Sequence, residues 1–250
     1  MNIQLIQTEP ITTDSGDITN ILDKSLSSFE EKSILVVTSK IVSISEGRVV
    51  KIGSIDKDTL IQNEAEYYLP HTKSKYDVTL TINHNMLVCT AGIDESNGNG
   101  YYILWPKDPQ ASANKIREYV VKRFGLTNIG IIITDSRSSP LRWGTTGVAL
   151  SHSGFFALNN YIGEPDIFGR TLTMTKANVA DGLAMGAVTV MGEGKEQTPL
   201  AVITDVPFVQ FQSRNPNKEE IKNLRIDIAD DVYAPLLTMA DWKKGGKKKK

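Results

Sequence analysis

The 250-residue chain holds a single cysteine, Cys89, so neither an intramolecular disulfide nor a cysteine-based zinc cluster is open to it. Cys89 sits in the apolar run MLVCTAG and reads as a small core residue. A charge of one sign is lacking too: 28 Lys and Arg against 29 Asp and Glu leave a formal net charge of −1. That balance argues against a nucleic-acid binder, which needs a basic face to neutralise phosphates. No apolar run approaches the roughly 18 residues of a membrane span, and the start, MNIQLIQTEP, lacks a basic segment followed by a long apolar one. The expected compartment is therefore the cytoplasm, with no membrane partner. Histidines number three, and His152, in SHSG, has no serine or cysteine nucleophile in a glycine-elbow pattern beside it, so a hydrolase triad is not supported. His71 and His84 read as loop residues. The phosphate loop GxxxxGK[ST] is absent as well.

With 40% hydrophobic and 23% charged residues, the chain can bury one generous core or two closely joined lobes. Residues 1–240 read as one domain. The end, WKKGGKKKK, is too polar and repetitive to bury a core, so 241–250 reads as a basic, disordered tail.

Periodicity places a strand over 2–7 and a helix capped by Asp17, with Ile18, Ile21, Leu22, Leu26 and Phe29 at helical spacing. SILVVTS (33–39) is a buried strand, KIVSISEGR a short polar segment, and 57–68 a helix leading to a polar link at His71 and Lys73 to Lys75. DVTLTINHNMLVCTAGID gives two strands about the turn NHN. Asp108 before Pro109 starts a helix that Gly125 stops. The run IGIII then enters TDSR, followed by a loop-rich, glycine-punctuated region from Ser136 to Arg170, a helix over 176–190, a strand over 200–205, and at least one helix in 218–240. Interleaved strands and helices with no internal repeat predict an α+β fold, mixed sheets with packed helices.

Three polar loops each follow an apolar run: GIDESN, TDSR and MGEGKEQTP. Acids and backbone amides at the ends of rigid elements are how α/β enzymes assemble sites. Asp94, Asp135 and Ser136 are hard oxygen donors of the kind magnesium and manganese take. Each aspartate can equally be a turn cap, and spacing alone favours that reading. The glycines of GEGKEQTP can approach a phosphate and Lys195 can add charge, although a helix C-terminal glycine turn explains the same residues. Arg137, Arg142 and Arg170 can each hold a carboxylate or a phosphoryl group.

Taken in order, SKIVSISEGRVV (39–50), TAGIDESN (90–97), ITDS (133–136), RWG (142–144), YIGEPDIFGRTL (161–172), NVADGLA (178–184) and VMGEG (190–194) resemble the coenzyme F420-0:γ-glutamyl ligase family. The resemblance covers nearly all of residues 1–205, and its specificity lies in the ordered set. It implies an α+β homodimer whose 1–240 unit is the catalytic domain. It further implies a ligase in which GTP, or ATP, activates a small carboxylate acceptor as an acyl phosphate that the amine of L-glutamate attacks. F420-0 or a folate-like pterin is the acceptor so implied. Magnesium or manganese at Asp94, Asp135 and Ser136, and a potassium ion, are implied cofactors, with Ser136 standing where threonine is usual. The implied nucleotide contacts are Glu9, Pro10, Ile11, Thr12, Ser39, Lys40, Asn97, Gly192, Glu193, Gly194, Lys195, Glu196, Gln197, Thr198 and Pro199. Arg142 is the implied catalytic arginine. Two positions depart from the family: Ile44 stands for a lysine, leaving Lys40 or Arg48 to replace it, and Ser139 stands for an arginine, with Arg137 nearby. Both departures fit a branch that glutamylates another acceptor, or a nucleotide-binding protein of the same fold without turnover.

Overall fold

In the computed structural model, residues 1–70 and 75–246 are described. In chain order the elements are β1 (Asn2–Ile6), α1 (Ile18–Ser25), β2 (Ile34–Thr38), α2 (Ser39–Ser45), β3 (Val49–Lys51), α3 (Lys57–Glu64), β4 (Tyr67–Tyr68), β5 (Leu80–Asn83), β6 (Met86–Cys89) and β7 (Tyr101–Ile103). Then come α4 (Pro109–Phe124), β8 (Gly130–Ser138), β9 (Thr145–Ser153), β10 (Leu158–Asn160), β11 (Lys176–Asn178), α5 (Val179–Met191), β12 (Leu200–Thr204), α6 (Lys218–Asn223), α7 (Ala234–Leu237) and β13 (Lys243–Lys244). The fold is α+β with several sheets, the main one mixed and the smaller ones antiparallel.

The main sheet runs in the order β1-β12-β2-β8-β9, antiparallel except for the parallel pair β2 and β8. Alternate side chains of its central strands leave on opposite faces. Leu35, Val37, Ile131 and Ile133 pack with Ile21 and Leu22 of α1 and with Ile116 and Val120 of α4. Ile34, Val36, Ile132 and Ile203 pack with Leu183, Ala184 and Ala187 of α5. Both faces are thus covered, which is why IGIII and ILVV are continuous apolar runs rather than alternating ones. A third core of Leu60, Ile61, Ile93, Tyr102 and Leu104 joins α3 to the smaller sheets, β13-β4-β5-β6 and β3-β7.

The start signals of α1 and α4 are realised as read, although α1 ends at Ser25, short of Leu26 and Phe29, and the helix read from 176 begins at Val179. Asp17 and Asp108 cap α1 and α4 by accepting the amides of Asn20 and Ala111, and Gly125 ends α4 at φ 67°. The hairpin turn between β5 and β6 falls on His84 and Asn85, both at positive φ.

Four expectations are corrected. KIVSISEGR is no polar segment: its first half is α2, with Ile41, Val42 and Ile44 buried alongside Ser39 and Ser43. Interspersed serines mask the helical period over only seven residues. The helix expected over 57–68 ends at Glu64, and Tyr67 and Tyr68 pair with Ile82 and Thr81. The supposed loop-rich region from Ser136 carries β8 on to Ser138 and then nine residues of β9. Small residues there are demanded by packing, since a Cβ on Gly147 would strike the Ala184 carbonyl of α5. Finally, the basic tail is paired as far as Lys244: Lys243 and Lys244 face Tyr68 and Tyr67, and the Trp242 indole donates to the Leu237 carbonyl at 2.7 Å. His71 and Lys73 of the polar link, and residues 247–250 of the tail, lie outside the described residues.

Away from the parallel strand ends, His152 is buried against the Phe155 ring, centroids 5.3 Å apart, with Nδ1 unpartnered among the described residues. Burial drags its pKa from 6.5 down to about 4, against the opposing pull of Glu220. Above pH 6.5 the ring is neutral in both folded and unfolded chains and contributes nothing. Between pH 6.5 and 4 only the unfolded chain takes the proton, so stability is lost as pH falls. Denaturant unfolding at about pH 7 and about pH 4.5 is expected to show the wild type losing about 2 kcal/mol more than His152→Leu over that interval. Equal losses in the two proteins would show that the imidazole is free to ionise in the folded state.

Candidate functional site

A cleft of about 520 Å³ opens where the parallel strands β2 and β8 end, walled on the other side by the loop after β6. Its lining takes in Glu9, Pro10 and Ile11, then Ser39 and Lys40, then Asp94, Ser96 and Asn97, then Asp135 and Ser136, and finally all of residues 192–199. The carboxyl ends of parallel strands are the customary binding edge of such sheets. Stretches far apart in sequence are therefore gathered by topology. Thr12 lies just outside, in a small adjoining pocket that shares Ile11, Ile44, Asn97 and Asn99 with the cleft. Arg142 is not brought in. It sits in the exposed turn between β8 and β9, flanked by Leu141 and Trp143 at 103% and 92% exposure.

Asp94 does form a turn: its Oδ1 accepts the Ser96 amide at 2.8 Å, and Oδ2 accepts the Ser96 hydroxyl at 2.9 Å. It is also ion-paired, with Lys40 Nζ 2.8 Å from Oδ2. Burial by itself would raise its pKa, but Lys40 and Ser96 outweigh that and hold the carboxyl below its ordinary range.

Asp135 caps nothing. It lies inside β8, opposite Val148 of β9, two positions beyond Ile133 and just past a register shift at Ile133/Thr134. The extra residue of that shift, Leu150, is on β9, so β8 keeps its alternation and Asp135 leaves on the same face as Ile131 and Ile133; it presents a carboxylate to the cleft because β2, paired with β8 as far as Thr38 and Thr134, has ended there. The Ser136 amide donates to Oδ1 at 2.8 Å, the Trp105 indole N–H donates to Oδ2, and the Ser39 hydroxyl adds a third bond. Although the residue is only partly buried by area, its carboxylate is enclosed, and burial pushes its pKa up to about 6 despite these three donors and with Asp94 adding repulsion. The two aspartates therefore differ in kind. The charge of Asp94 is already answered by Lys40, whereas Asp135 is held by dipoles.

The third wall hangs from the C-terminal end of α5. Gly192, at φ 82°, donates to the Val188 carbonyl and ends the helix, as a glycine turn should. The same turn also lines the cleft. Asn97 Nδ2 donates to the Gly194 carbonyl at 2.9 Å, and the Ser136 hydroxyl to Glu193 Oε2 at 3.2 Å, stitching the three loops together. The sign of the helix end is unfavourable to an anion here, so phosphate affinity has to come from amides and cations.

Five carboxylates, Glu9, Asp94, Asp135, Glu193 and Glu196, line the cleft against two lysines, Lys40 and Lys195. Ile44 contributes an apolar patch to the wall. Of its two potential replacements, Arg48 is committed to Glu64 and to the Trp105 carbonyl, leaving Lys40. Arg137 does not line the cleft either. Among the described residues no three Asp, Glu, His or Cys side chains converge into a ready-made metal cage. The donor set nonetheless suits a hard divalent cation that keeps part of its shell for water and phosphate oxygens: two fixed carboxylates and a hydroxyl, one carboxylate lacking a countercharge.

Trp105 and Ser96 are the site residues that sequence reasoning missed. Ser96 lies within TAGIDESN and is legible as a turn partner two residues after Asp94. Trp105 reads as one more apolar residue of YYILWP, and nothing local ties position 105 to position 135.

Residues 6–205 match the model of a family described as F420-0:Gamma-glutamyl ligase. The chain is 33% identical over 218 residues to the coenzyme F420:L-glutamate ligase of Methanocaldococcus jannaschii, covering 77% of this chain and 85% of that protein. To the protein of the same description from Archaeoglobus fulgidus it is 30% identical over 220 residues, 81% and 88% of the two chains. The counterpart in Methanothermobacter thermautotrophicus is 28% identical over 250 residues, 91% and 99% of the two.

Proposed function

Since the chain belongs to the F420-0:γ-glutamyl ligase family, we propose that it is a ligase joining L-glutamate to a small carboxylate acceptor, F420-0 or a folate-like pterin, driven by a nucleoside triphosphate. The observation that carries this reading is the gathering of Asp94, Asp135, Ser136, Lys40 and the 192–199 loop around one cleft. A triphosphate and two carboxylate substrates would enter a lining that already holds five acids and two lysines. Electrostatics then require added cations, and magnesium or manganese held by Asp94, Asp135 and Ser136 meets that need, with potassium as a further counter-ion. Bound there, the cation would offset charge on the phosphate oxygens.

The chemistry balances in two steps. An oxygen of the acceptor carboxylate bonds to the γ-phosphorus as the bond to the nucleoside diphosphate breaks. The glutamate amine, having shed its proton, then attacks the acyl carbon, and inorganic phosphate leaves. Lys40, at 2.8 Å from Asp94 in this structure, is the ammonium best placed to turn toward a phosphate. Backbone amides of residues 192–199 would position the nucleotide, and Asn97, tied to Gly194, fixes that loop's distance from the Asp94 turn. The reading also includes a homodimer, and Leu141, Trp143, Ile167, Phe168 and Met174 are large apolar side chains left exposed for a second copy to cover.

Among the described residues no helix is long and apolar enough to cross a membrane. Purified protein with GTP or ATP, magnesium or manganese, L-glutamate and a panel of carboxylate acceptors is expected to release inorganic phosphate only when glutamate and a competent acceptor are both present. Ile44 in the cleft wall favours one alternative, a nucleotide binder without turnover. Metal-dependent nucleotide binding by calorimetry, with no phosphate from any acceptor, would support it. Phosphate release without acceptor would instead indicate a phosphohydrolase.

A further inference from the structure

The ligase reading uses Asp135 but leaves unexplained why a buried tryptophan donates to it. Resting on that reading, we propose that Trp105 is a positioning residue whose indole N–H, together with the Ser136 amide, locks the plane of the Asp135 carboxylate so that its remaining lone pairs face a divalent cation in the cleft.

The residue is held at its backbone, and its ring on two further sides. It follows β7, and its carbonyl accepts Arg48 Nε at 3.1 Å. Gly92, at φ 75°, lies flat against the ring, where any Cβ would overlap it. The His84 ring stands 5.9 Å away, tilted by 51°. A side chain so confined has one polar atom, and that atom can only donate. It reaches Oδ2 of Asp135, while Oδ1 takes the Ser136 amide and the Ser39 hydroxyl adds a third bond. Tethering both oxygens from different directions removes rotation about the carboxylate bond.

Comparison with Asp94 shows why a neutral donor suits this position. Lys40 orients Asp94 but also neutralises it, and a cation has to displace the lysine to use that charge fully. The indole orients Asp135 without supplying charge, and it stays in place when a cation arrives. Outer donors of this kind set ligand geometry, and their loss typically lowers metal affinity by about 10–100-fold.

The test follows Mn²⁺ binding to the full chain by electron paramagnetic resonance of the free ion, with a non-hydrolysable nucleoside triphosphate analogue present. Trp105→Phe, which keeps an aromatic ring but loses the donor, is expected to raise the Kd for Mn²⁺ by about 10–100-fold with nucleotide affinity in the absence of metal unchanged. Asp135→Asn serves as the control that loses the ion outright. A wild-type Kd in Trp105→Phe, with Asp135→Asn impaired, overturns the positioning role and leaves the ligase reading standing. No Mn²⁺ binding by the wild type overturns the metal site and this proposal with it. A second measurement needs no variant: in ¹⁵N-indole-labelled wild type, bound Mn²⁺ is expected to broaden the Trp105 N–H resonance more strongly than those of Trp143 and Trp242. A sharp Trp105 resonance with Mn²⁺ bound contradicts the proposal.

Discussion

Asp135→Asn is expected to lower glutamate ligation by about 10³-fold, the order seen when a principal electrostatic contact to a transferring group is removed, while the protein remains folded. Asparagine preserves the shape and can still accept the Trp105 N–H, but it removes the charge that no ammonium among the described residues answers. Its amide nitrogen would also meet the Ser136 N–H donor to donor if the carbonyl keeps the indole bond. The expected effect on stability has the opposite sign. A carboxyl whose folded pKa is raised from 3.8 to about 6 stabilises the fold while protonated, at low pH, and that contribution disappears as pH rises through 6. At about pH 8 the metal-free wild type therefore carries a buried charge that the variant lacks, and Asp135→Asn should unfold later by about 2 kcal/mol. Initial rates and urea midpoints on the same two proteins check both halves. An active variant sinks the assignment of Asp135, and an inactive but destabilised one shows that the carboxylate was serving the fold.

Gly154→Ala is expected to cost about 4 kcal/mol, the sum of a left-handed backbone at a residue with a Cβ and an overlap that cannot relax. Gly154 follows β9 at φ 83°. An added methyl would overlap the Ile129 carbonyl oxygen and come within 2.7 Å of Arg117 Nε, neither being the free end of a flexible chain, because Arg117 is buried and bonded to Thr127 and Gln212. The Gly154 carbonyl meanwhile accepts the Gln212 amide at 2.7 Å, so the backbone has little freedom to swing away. Equilibrium urea unfolding measures the loss directly, and a change below about 1 kcal/mol would show that the turn rebuilds itself.

Much of this architecture was legible because its signals are local. The Asp108-Pro109 start and Gly125 stop of α4, and the NHN turn of β5 and β6, each rest on a few adjacent residues with one conformational preference. What escaped notice depends on partners distant in sequence. β9 reads as loop because its Gly147 answers to a helix, α5, that comes much later in the chain. Asp135 reads as the end of a strand because the apolar run stops there, although β8 continues to Ser138 in pairing with β9, and its indole donor is contributed by a distant segment. At the site, the oxygen donors and the 192–199 loop were legible as chemistry and through the family's order of motifs, whereas Arg142 was carried to the cleft by resemblance and stands on an exposed turn.

The placement of β12 has a consequence for synthesis. That strand, Leu200–Thr204, lies between β1 and β2, the first two strands of the chain. Until residue 204 has left the ribosome, β1 has no neighbour in the main sheet and β2 presents an unpaired edge bearing ILVVT. Such an edge is a template for pairing with other chains, and closure over so long a sequence separation is slow. The nascent protein is thus exposed to misassembly for most of its translation, and an expression host limited in chaperone capacity should yield aggregates built from chains that stop before β12.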